Sequence, residues 1–258
     1  MTKEMKRILI FLAGFWVMIN SAQALQVTQD MKTRIGIFDA CEQSLTYSFY
    51  RNKDYDIRTK LRTTGTFGTL YPFTAEYHAV GTYNESNFKP QDYFYETKSR
   101  FSHRTKEITY KNGIPQERIS VKDGKKAVML ITVNPKYDRS IDLLSVFGVL
   151  IEQIIRTGKC DFQSHSFNGK KYSLSTVKKI KSEKIKTEFF EGKADKCQYS
   201  LEVVDNPDAG FLINKDTPIY MWIMKDKETK APFVAKIEVH STPFGKLQAV
   251  TTKIKVEK

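Results

Sequence analysis

The amino-acid sequence predicts a mainly β protein, a single domain with an antiparallel sheet and one long buried helix near residues 142–158. Three observations lead to this prediction. Apolar and polar residues alternate with a period of two along most of the chain, as in strands with one buried face. Asn-Gly and Asp-Gly pairs, which favour tight turns, separate several of these segments. One segment has helical periodicity instead.

The alternation is clear at residues 43–51, where Tyr47 and Phe49 fall on one face and small polar residues on the other. Similar patterns predict strands at 55–63, 74–83, 91–101, 106–111, 128–133, 161–167, 170–180, 184–190, 198–205, 218–224, 233–240 and 246–256. Asn112-Gly113 indicates a hairpin, because a type I′ turn needs positive φ at both central residues. Short connections of this kind join antiparallel neighbours.

Residues 141–159 interrupt the strand pattern and predict a helix. Asp142 is a suitable N-cap, and Gly158 stands where a glycine ends many helices. Apolar residues occupy most of the circumference, which is typical of a buried helix. The face with the clearest periodicity contains Leu144, Phe147, Ile151, Ile154 and Ile155. The helix either completes the core of a curved sheet or covers a ligand cavity.

Residues 1–24 have the features of a cleaved secretory signal peptide. A positively charged start precedes an apolar run at 8–19, and the small-x-small sequence Ala-Gln-Ala stands at 22–24. The run would rise only about 18 Å as a helix, too short for a hydrocarbon core of about 30 Å. We therefore expect cleavage after Ala24, a loose N-terminal lead-in at 25–42 and a β-rich domain at 43–258.

The net charge favours an anionic partner or surface. The formal charge is +13, and loss of residues 1–24, which contribute +2, leaves +11. Because we expect the protein to be exported, we expect no nucleic acid among its partners. The expected location is the periplasm of a Gram-negative bacterium, where lipid headgroups and lipopolysaccharide phosphates are the abundant anions.

The three cysteines are interpreted in the light of export, because thiols pair in an oxidising compartment. Cys160 and Cys197 each adjoin a strand-like segment, and we favour a disulfide between them. Cys41 is then left over, either free or paired between chains. A catalytic role for Cys41 has little support, because no recognisable base accompanies it.

No catalytic, cofactor-binding or metal-binding residue is predicted. The four histidines, His78, His103, His165 and His240, are not spaced as metal ligands. The sequence has no nucleophile elbow, metalloprotease helix motif, P-loop or dinucleotide fingerprint. We therefore expect a protein that is not an enzyme, with no cofactor, and a hydrolase with an unrecognised site remains the weakest alternative.

Aromatic residues are concentrated in one part of the chain. Of 32 aromatic residues, 15 lie between Tyr47 and Tyr110. They reflect ordinary β propensity, or they line an apolar pocket that has a few polar groups. On the pocket hypothesis, the lining residues are Tyr47, Phe49, Tyr77, Leu144, Phe147, Ile151 and Trp222.

A series of short motifs carries a family resemblance through its order. In chain order they are Thr63-Thr64-Gly65, 68–72, Phe88-Lys89-Pro90, 142–145, Cys160-Asp161, 167–172, Cys197, Met221-Trp222-Ile223, 231–236 and Phe244-Gly245. This order resembles the exported bacterial family known as domain of unknown function 3108, in its alphaproteobacterial form, over about residues 45–254. The chain departs from the family pattern at Leu143, where the family usually has proline.

The resemblance implies a periplasmic protein with a strongly curved antiparallel sheet or half-open barrel, similar to the lipoprotein carriers of the envelope. It also implies pairing of Cys160 with Cys197, and it brings no catalytic residues. The first functional hypothesis is a monomeric protein that binds an apolar or amphipathic envelope molecule, such as a lipid or lipopolysaccharide-like amphiphile, in the curved sheet. The alternative is a structural or interaction protein of envelope assembly, with an exposed sheet edge for a protein partner.

Overall fold

Antiparallel strands dominate the computed structural model, which describes residues 23–205, 217–242 and 245–258. The predicted signal peptide falls almost wholly on residues 1–22, outside the described residues. The strands are β1 (Gln23–Ile35), β2 (Phe38–Tyr50), β3 (Asp54–Thr63), β4 (Phe73–Asn84), β5 (Asn87–Ser99), β6 (His103–Lys111), β7 (Ile114–Lys122), β8 (Lys125–Leu130), β9 (Phe162–Phe167), β10 (Tyr172–Lys186), β11 (Glu191–Val203), β12 (Ile219–Lys225), β13 (Pro232–Thr242) and β14 (Gly245–Glu257). The helices are α1 (Gly65–Leu70), a 3-10 turn (Pro135–Tyr137) and α2 (Leu143–Thr157).

All fourteen described strands form one sheet, in the order β8-β7-β6-β5-β4-β3-β2-β1-β14-β13-β12-β11-β10-β9. The two chain ends therefore meet in the middle of the sheet, where β1 pairs with β14 from Gln26–Glu257 to Ile35–Leu247. The connection from β8 to β9 passes from one sheet edge to the other and contains α2. The edges β8 and β9 do not pair, so the sheet is open.

The sheet is strongly curved around α2. This helix contacts β3, β4, β5, β9 and β13. In a flat sheet β5 and β9 would lie about 48 Å apart at the usual strand spacing. A helix about 10–12 Å wide reaches both only if the sheet wraps around it. The prediction of a mainly β, strongly curved antiparallel sheet with one long helix is confirmed.

The prediction of a loose lead-in at 25–42 is wrong, because these residues form β1 and the start of β2 at the centre of the sheet. Val27 and Met31 of β1 are buried, but so are Gln29 and Thr33 on the same face. Polar residues at inward positions conceal the period of two on which the sequence prediction depends.

The structure also differs from the predicted strands at β10 and at β7. The segments 170–180 and 184–190, predicted as separate strands, belong to the single strand β10 and the turn after it. β10 is irregular between Lys179 and Lys181, where its register with β11 shifts. The strand β7 follows the Asn112-Gly113 turn directly, and the sequence patterns did not indicate it as a separate strand.

The helix α2 begins and ends where the sequence predicts. Asp142 is the N-cap, and one of its carboxylate oxygens accepts a hydrogen bond from the Ser145 backbone N–H at 2.8 Å. Gly158 ends the helix with a φ of 72°, in the left-handed region that glycine tolerates. The helix is mostly buried, although Ile155, predicted to lie on its apolar face, is exposed.

The structure brings Cys160 and Cys197 together in the core between α2 and β11. Their sulfur atoms are 2.06 Å apart, and both residues are fully buried. They pack in an apolar cluster with Leu150, Ile154 and Val177, so the bond ties the end of α2 to the sheet. Cys41 is a half-buried free thiol, and burial raises its pKa.

Peptide mapping under non-reducing conditions tests this pairing. We expect a linked peptide that contains Cys160 and Cys197, and a free Cys41. Replacement of both paired cysteines by serine should lower the free energy of unfolding by up to about 4 kcal/mol, because it opens a loop with a sequence separation of 37 residues. Cys41→Ser is the control and should change stability much less. A linkage of Cys41 to either residue would contradict the assignment.

Candidate functional site

The concave face of the sheet is the face that packs against α2. Side chains alternate along each strand, so Leu45, Tyr47 and Phe49 of β2 point to this face. The Tyr47 ring lies 5.9 Å from that of Phe147 on α2, and its hydroxyl donates a hydrogen bond to the Pro232 carbonyl. The opposite face of the sheet is called the outer face below.

Six of the seven predicted pocket-lining residues lie together at the concave face. Tyr47, Phe49 and Ile151 are buried in one apolar cluster. The other three pack against that cluster while partly exposed, and they are Tyr77, Leu144 and Phe147. None of the six lines any cavity described below. The residues are therefore brought together as packed core.

Trp222 lies apart from the other six. Its neighbours Met221 and Ile223 belong to the cluster around α2, so alternation directs Trp222 to the outer face. There its indole N–H donates to Glu183 at 2.7 Å. The ammonium groups of Lys196 and Lys236 lie 4.8 and 4.6 Å from its ring centre.

The helix α2 packs in close contact with the sheet at Gly148. A Cβ at Gly148 would lie 2.7 Å from the Ile57 side chain and 2.8 Å from the Phe88 ring. Both of these side chains are buried, so neither has room to move away. Glycine at this position lets the helix backbone approach the sheet, and α2 fills the concavity.

A buried polar group lies where α2 begins. The second carboxylate oxygen of Asp142 accepts a hydrogen bond from the Ser145 hydroxyl at 2.5 Å, and that hydroxyl lies 2.7 Å from the Tyr55 hydroxyl. Burial raises the pKa of Asp142 to about 6, and hydrogen bonds from Ser145 offset part of the shift. Asp142 thus holds the helix start while carrying a proton affinity well above that of an exposed aspartate.

Several hydroxyl groups in the same interior have no hydrogen-bond partner among the described residues. They belong to Tyr110, Tyr172, Ser140 and Ser166. Burial, followed by the charge of Asp142, raises the pKa of Tyr110 well above its usual value. These groups can donate and accept hydrogen bonds, but none is joined to a histidine base, so they form no nucleophile with an activating base.

Two basic side chains on the concave side of β6 and β7 were not indicated by the sequence patterns. Lys106 donates to the carbonyl of Asn168 at 2.8 Å, and Arg118 donates to the carbonyl of Gly169 at 2.6 Å. These carbonyls belong to the turn between β9 and β10, so the contacts join the two ends of the open sheet. The only relevant signal in the sequence was the Asn168-Gly169 turn, which says nothing about the distant strands it meets.

The stacked rings of Tyr77 and Tyr95 lie beside Lys106. Their centres are 5.7 Å apart, and the Lys106 ammonium lies 5.1 Å from the Tyr95 ring centre. All three side chains are half-buried. Burial, and then the charges of Arg118 and Lys170, lower the pKa of Lys106 to about 8. This corner combines an aromatic surface with positive charge.

The two edges of the sheet differ. At β9, Ile141 forms a parallel bridge with Ser166, exchanging backbone hydrogen bonds of 3.1 Å with His165 and 2.8 Å with Phe167. At β8 every residue is exposed, including Val128 (55%) and Leu130 (78%). Only β7 pairs with β8 in the described part of the chain. One edge is therefore partly covered and the other is open.

A groove of about 590 Å³ crosses the outer face over β1 to β5. Its walls are two cross-strand rows of mostly charged side chains. Ion pairs within and between these strands join Lys60 to Glu76 at 3.3 Å and Arg62 to Glu42 at 2.7 Å. Because most of these charges are paired with each other, the groove has no excess of one sign.

Three histidines pair with carboxylates: His78 with Asp56, His103 with Glu96 and His240 with Glu238. Each carboxylate also binds a lysine or arginine, so these are ion-pair networks. Among the described residues no serine, threonine or cysteine side chain bonds to a histidine ring. The described residues also contain no group of three or more potential metal ligands and no helix long and apolar enough to cross a membrane.

The buried carboxyl of Asp142 predicts a pH-dependent stability. Its ordinary pKa is 3.8 and its pKa in the folded protein is about 6. Between these values the folded protein binds more protons than the unfolded chain, so this contribution to stability is present at low pH and is lost as the pH rises through about 6.

The variant Asp142→Asn keeps an N-cap acceptor and removes the titration. The free energy of unfolding of the wild type relative to this variant should fall by about 3 kcal/mol between about pH 4 and 7. Urea denaturation at several pH values measures it. Parallel pH profiles for the two proteins would show that Asp142 does not titrate in this range.

Comparisons with known proteins agree with the fold. The family model for the protein of unknown function DUF3108 matches residues 32–250. A crystal structure of a β-barrel-like protein of domain of unknown function DUF1849 from Brucella abortus has a TM-score of 0.51 at 8% identity, covering 91% of this chain and 98% of that one. No curated protein matches the chain. The family resemblance carried by the short motifs is confirmed, and the chain belongs to the DUF3108 family.

Proposed function

We propose that this is an exported envelope protein of the periplasm that acts by binding a protein partner and is not an enzyme. The leader-like residues 1–24 and the buried cysteine pair support export. Because α2 occupies the concave face, the rim of the sheet is where a partner can reach the protein. We therefore infer that the partner binds at the open edge strand β8.

The observation that supports this proposal is the exposure of every residue of the edge strand β8. The Ile131 N–H donates to the Gln116 carbonyl at 2.8 Å. Hydrogen-bonded pairs alternate in an antiparallel ladder, so residues 125, 127 and 129 also bond to β7. The N–H and C=O groups of Lys126, Val128 and Leu130 therefore point away from the sheet and can pair with another strand.

The side chains of β8 indicate what kind of segment would fit. Its second half contains the exposed apolar residues Val128, Met129 and Leu130, and its first half begins with Lys125 and Lys126. An extended partner segment with apolar residues and an acidic end would complement both halves. Backbone hydrogen bonds would supply affinity, and the side chains would supply specificity.

The variant Val128→Pro tests the edge. Proline removes an outward N–H without removing a hydrogen bond to β7. We expect it to abolish retention of a partner from periplasmic extract, while the stability of the protein changes little. Val128→Thr keeps the N–H and shape, so it should retain the partner. Equal retention by wild type and Val128→Pro, measured by quantitative mass spectrometry, would contradict binding at this edge.

A second candidate function is binding of an apolar or amphipathic envelope molecule. The observation in its favour is the half-buried pair Tyr77 and Tyr95 on the concave side next to α2. Aromatic rings with polar tips suit the boundary between an apolar chain and a polar headgroup. Because α2 packs closely at Gly148, an acyl chain would enter only if the helix moved.

Native mass spectrometry of protein purified from periplasm tests this candidate. Amphiphile binding predicts mass additions that lipid extraction removes. Tyr77→Ala should reduce these additions, whereas Tyr50→Ala, on the outer face, should not. Protein that carries no added mass, or equal losses in the two variants, would contradict an amphiphile at the concave side.

A further inference from the structure

Positive charge without a counter-charge collects where the two ends of the sheet meet. The cation cluster consists of Lys106 on β6, Arg118 on β7 and Lys170 in the turn between β9 and β10. None of the three pairs with a carboxylate among the described residues, although sixteen other ion pairs occur there. The protein partners of Lys106 and Arg118 are instead the neutral carbonyls of the turn and, for Arg118, the Met129 sulfur at 3.5 Å.

The side chains of Lys106 and Arg118 converge on the turn at Gly169. Ile108 pairs with Arg118 and Lys106 with Ser120, so Lys106 and Arg118 are diagonal neighbours on the same face. A Cβ at Gly169 would lie 2.9 Å from Cδ of Arg118 and 3.3 Å from Cδ of Lys106. The two stems therefore flank Gly169, and their charged ends lie beside the same turn.

The Arg118 guanidinium has N–H groups that donate to no oxygen among the described residues. Among the described residues its buried Nε has no hydrogen-bond partner, and one of its two terminal nitrogens bonds to oxygen. A buried donor without an acceptor costs free energy, which an acceptor of the right shape would recover. The planar fork of a guanidinium matches two oxygen atoms of one anion.

The lowered pKa of Lys106 agrees with a site that lacks a negative charge. Burial is the first cause of the low pKa of Lys106, and the charges of Arg118 and Lys170 lower it further. An anion placed among the three groups would offset the mutual repulsion. In a partly desolvated position such an interaction is stronger than at the open surface.

We propose that the cation cluster of Lys106, Arg118 and Lys170 binds a phosphate group, either free inorganic phosphate or the phosphate of a lipid headgroup. A phosphate offers oxygens to the Arg118 fork and charge to both lysines. Because the cluster joins β6 and β7 to the turn between β9 and β10, the bound group would strengthen the contact between the two ends of the sheet. None of the three residues belongs to β8.

Titration of the wild-type protein with inorganic phosphate tests the proposal directly. Nuclear magnetic resonance of isotopically dimethylated lysines follows the pKa of Lys106, which should rise when phosphate binds and fall back as salt is added. A structural role for Lys106 alone would leave its pKa insensitive to phosphate. This measurement needs no variant, so it stands even if substitutions at the cluster impair folding.

Variants provide the second measurement, by calorimetry with inorganic phosphate. Lys106→Gln and Arg118→Gln should each weaken binding about tenfold or more, because each removes a charge-assisted contact. Lys126→Gln is the matched control, since it makes the same charge change at an exposed position on β8. Val128→Pro should leave phosphate binding unchanged, which separates this site from the edge.

Vesicles identify the source of the phosphate. Binding to phosphatidylglycerol vesicles, absent with phosphatidylcholine vesicles and lost in Arg118→Gln, would support a headgroup ligand. A response to inorganic phosphate alone would support the free anion. The proposal is overturned if neither probe acts on the cluster, or if Lys126→Gln reduces binding as much as Arg118→Gln.

Discussion

The pairing of β1 with β14 is the interaction on which the rest of the structure depends. It joins the N-terminal and C-terminal strands in the middle of the sheet, and without it the two halves of the sheet would share no ladder. Buried polar residues support this junction. Gln29 accepts a hydrogen bond from the Val234 N–H at 3.2 Å, and Thr251 donates to the Val234 carbonyl at 2.5 Å. The register of β13 with β12 shifts at this point, and the two side chains satisfy backbone groups that would otherwise be buried without partners.

The same topology determines what fills the interior. With β8 and β9 at opposite edges, the chain between them must cross from one side of the molecule to the other, and it does so as α2 across the concave face. Its side chains pack against both apolar clusters, and Gly148 allows close approach to Ile57 and Phe88. The protein thus fills its own half-barrel. The binding surfaces that we propose lie at the rim, at the open strand β8 and at the cation cluster.

Much of the fold and part of the concave face could be predicted from the chain because the signals are local. Alternation identified Tyr47 and Phe49, and helical periodicity with a cap at Asp142 identified α2. Lys106 and Arg118 could not be found in this way, since their contacts lie 62 and 51 residues further along the chain. Trp222 was grouped with the concave residues by its aromatic character. Alternation along β12 directs Met221 and Ile223 to the concave face and the Trp222 side chain to the outer face.

The sequence by itself determined the class of fold, the place and caps of the long helix and the family, because strand alternation, turn chemistry and capping act over a few residues. The tertiary structure decided that residues 25–42 lie at the centre of the sheet, since buried Gln29 meets its Val234 partner only after β13 is in place. It also decided that the aromatic residues of the concave face pack around α2, and that Lys106 and Arg118 meet the turn at 168–169. These contacts depend on the curvature of the sheet and the order of its strands. Both result from pairings between residues far apart in the chain, which leave no local pattern in the sequence.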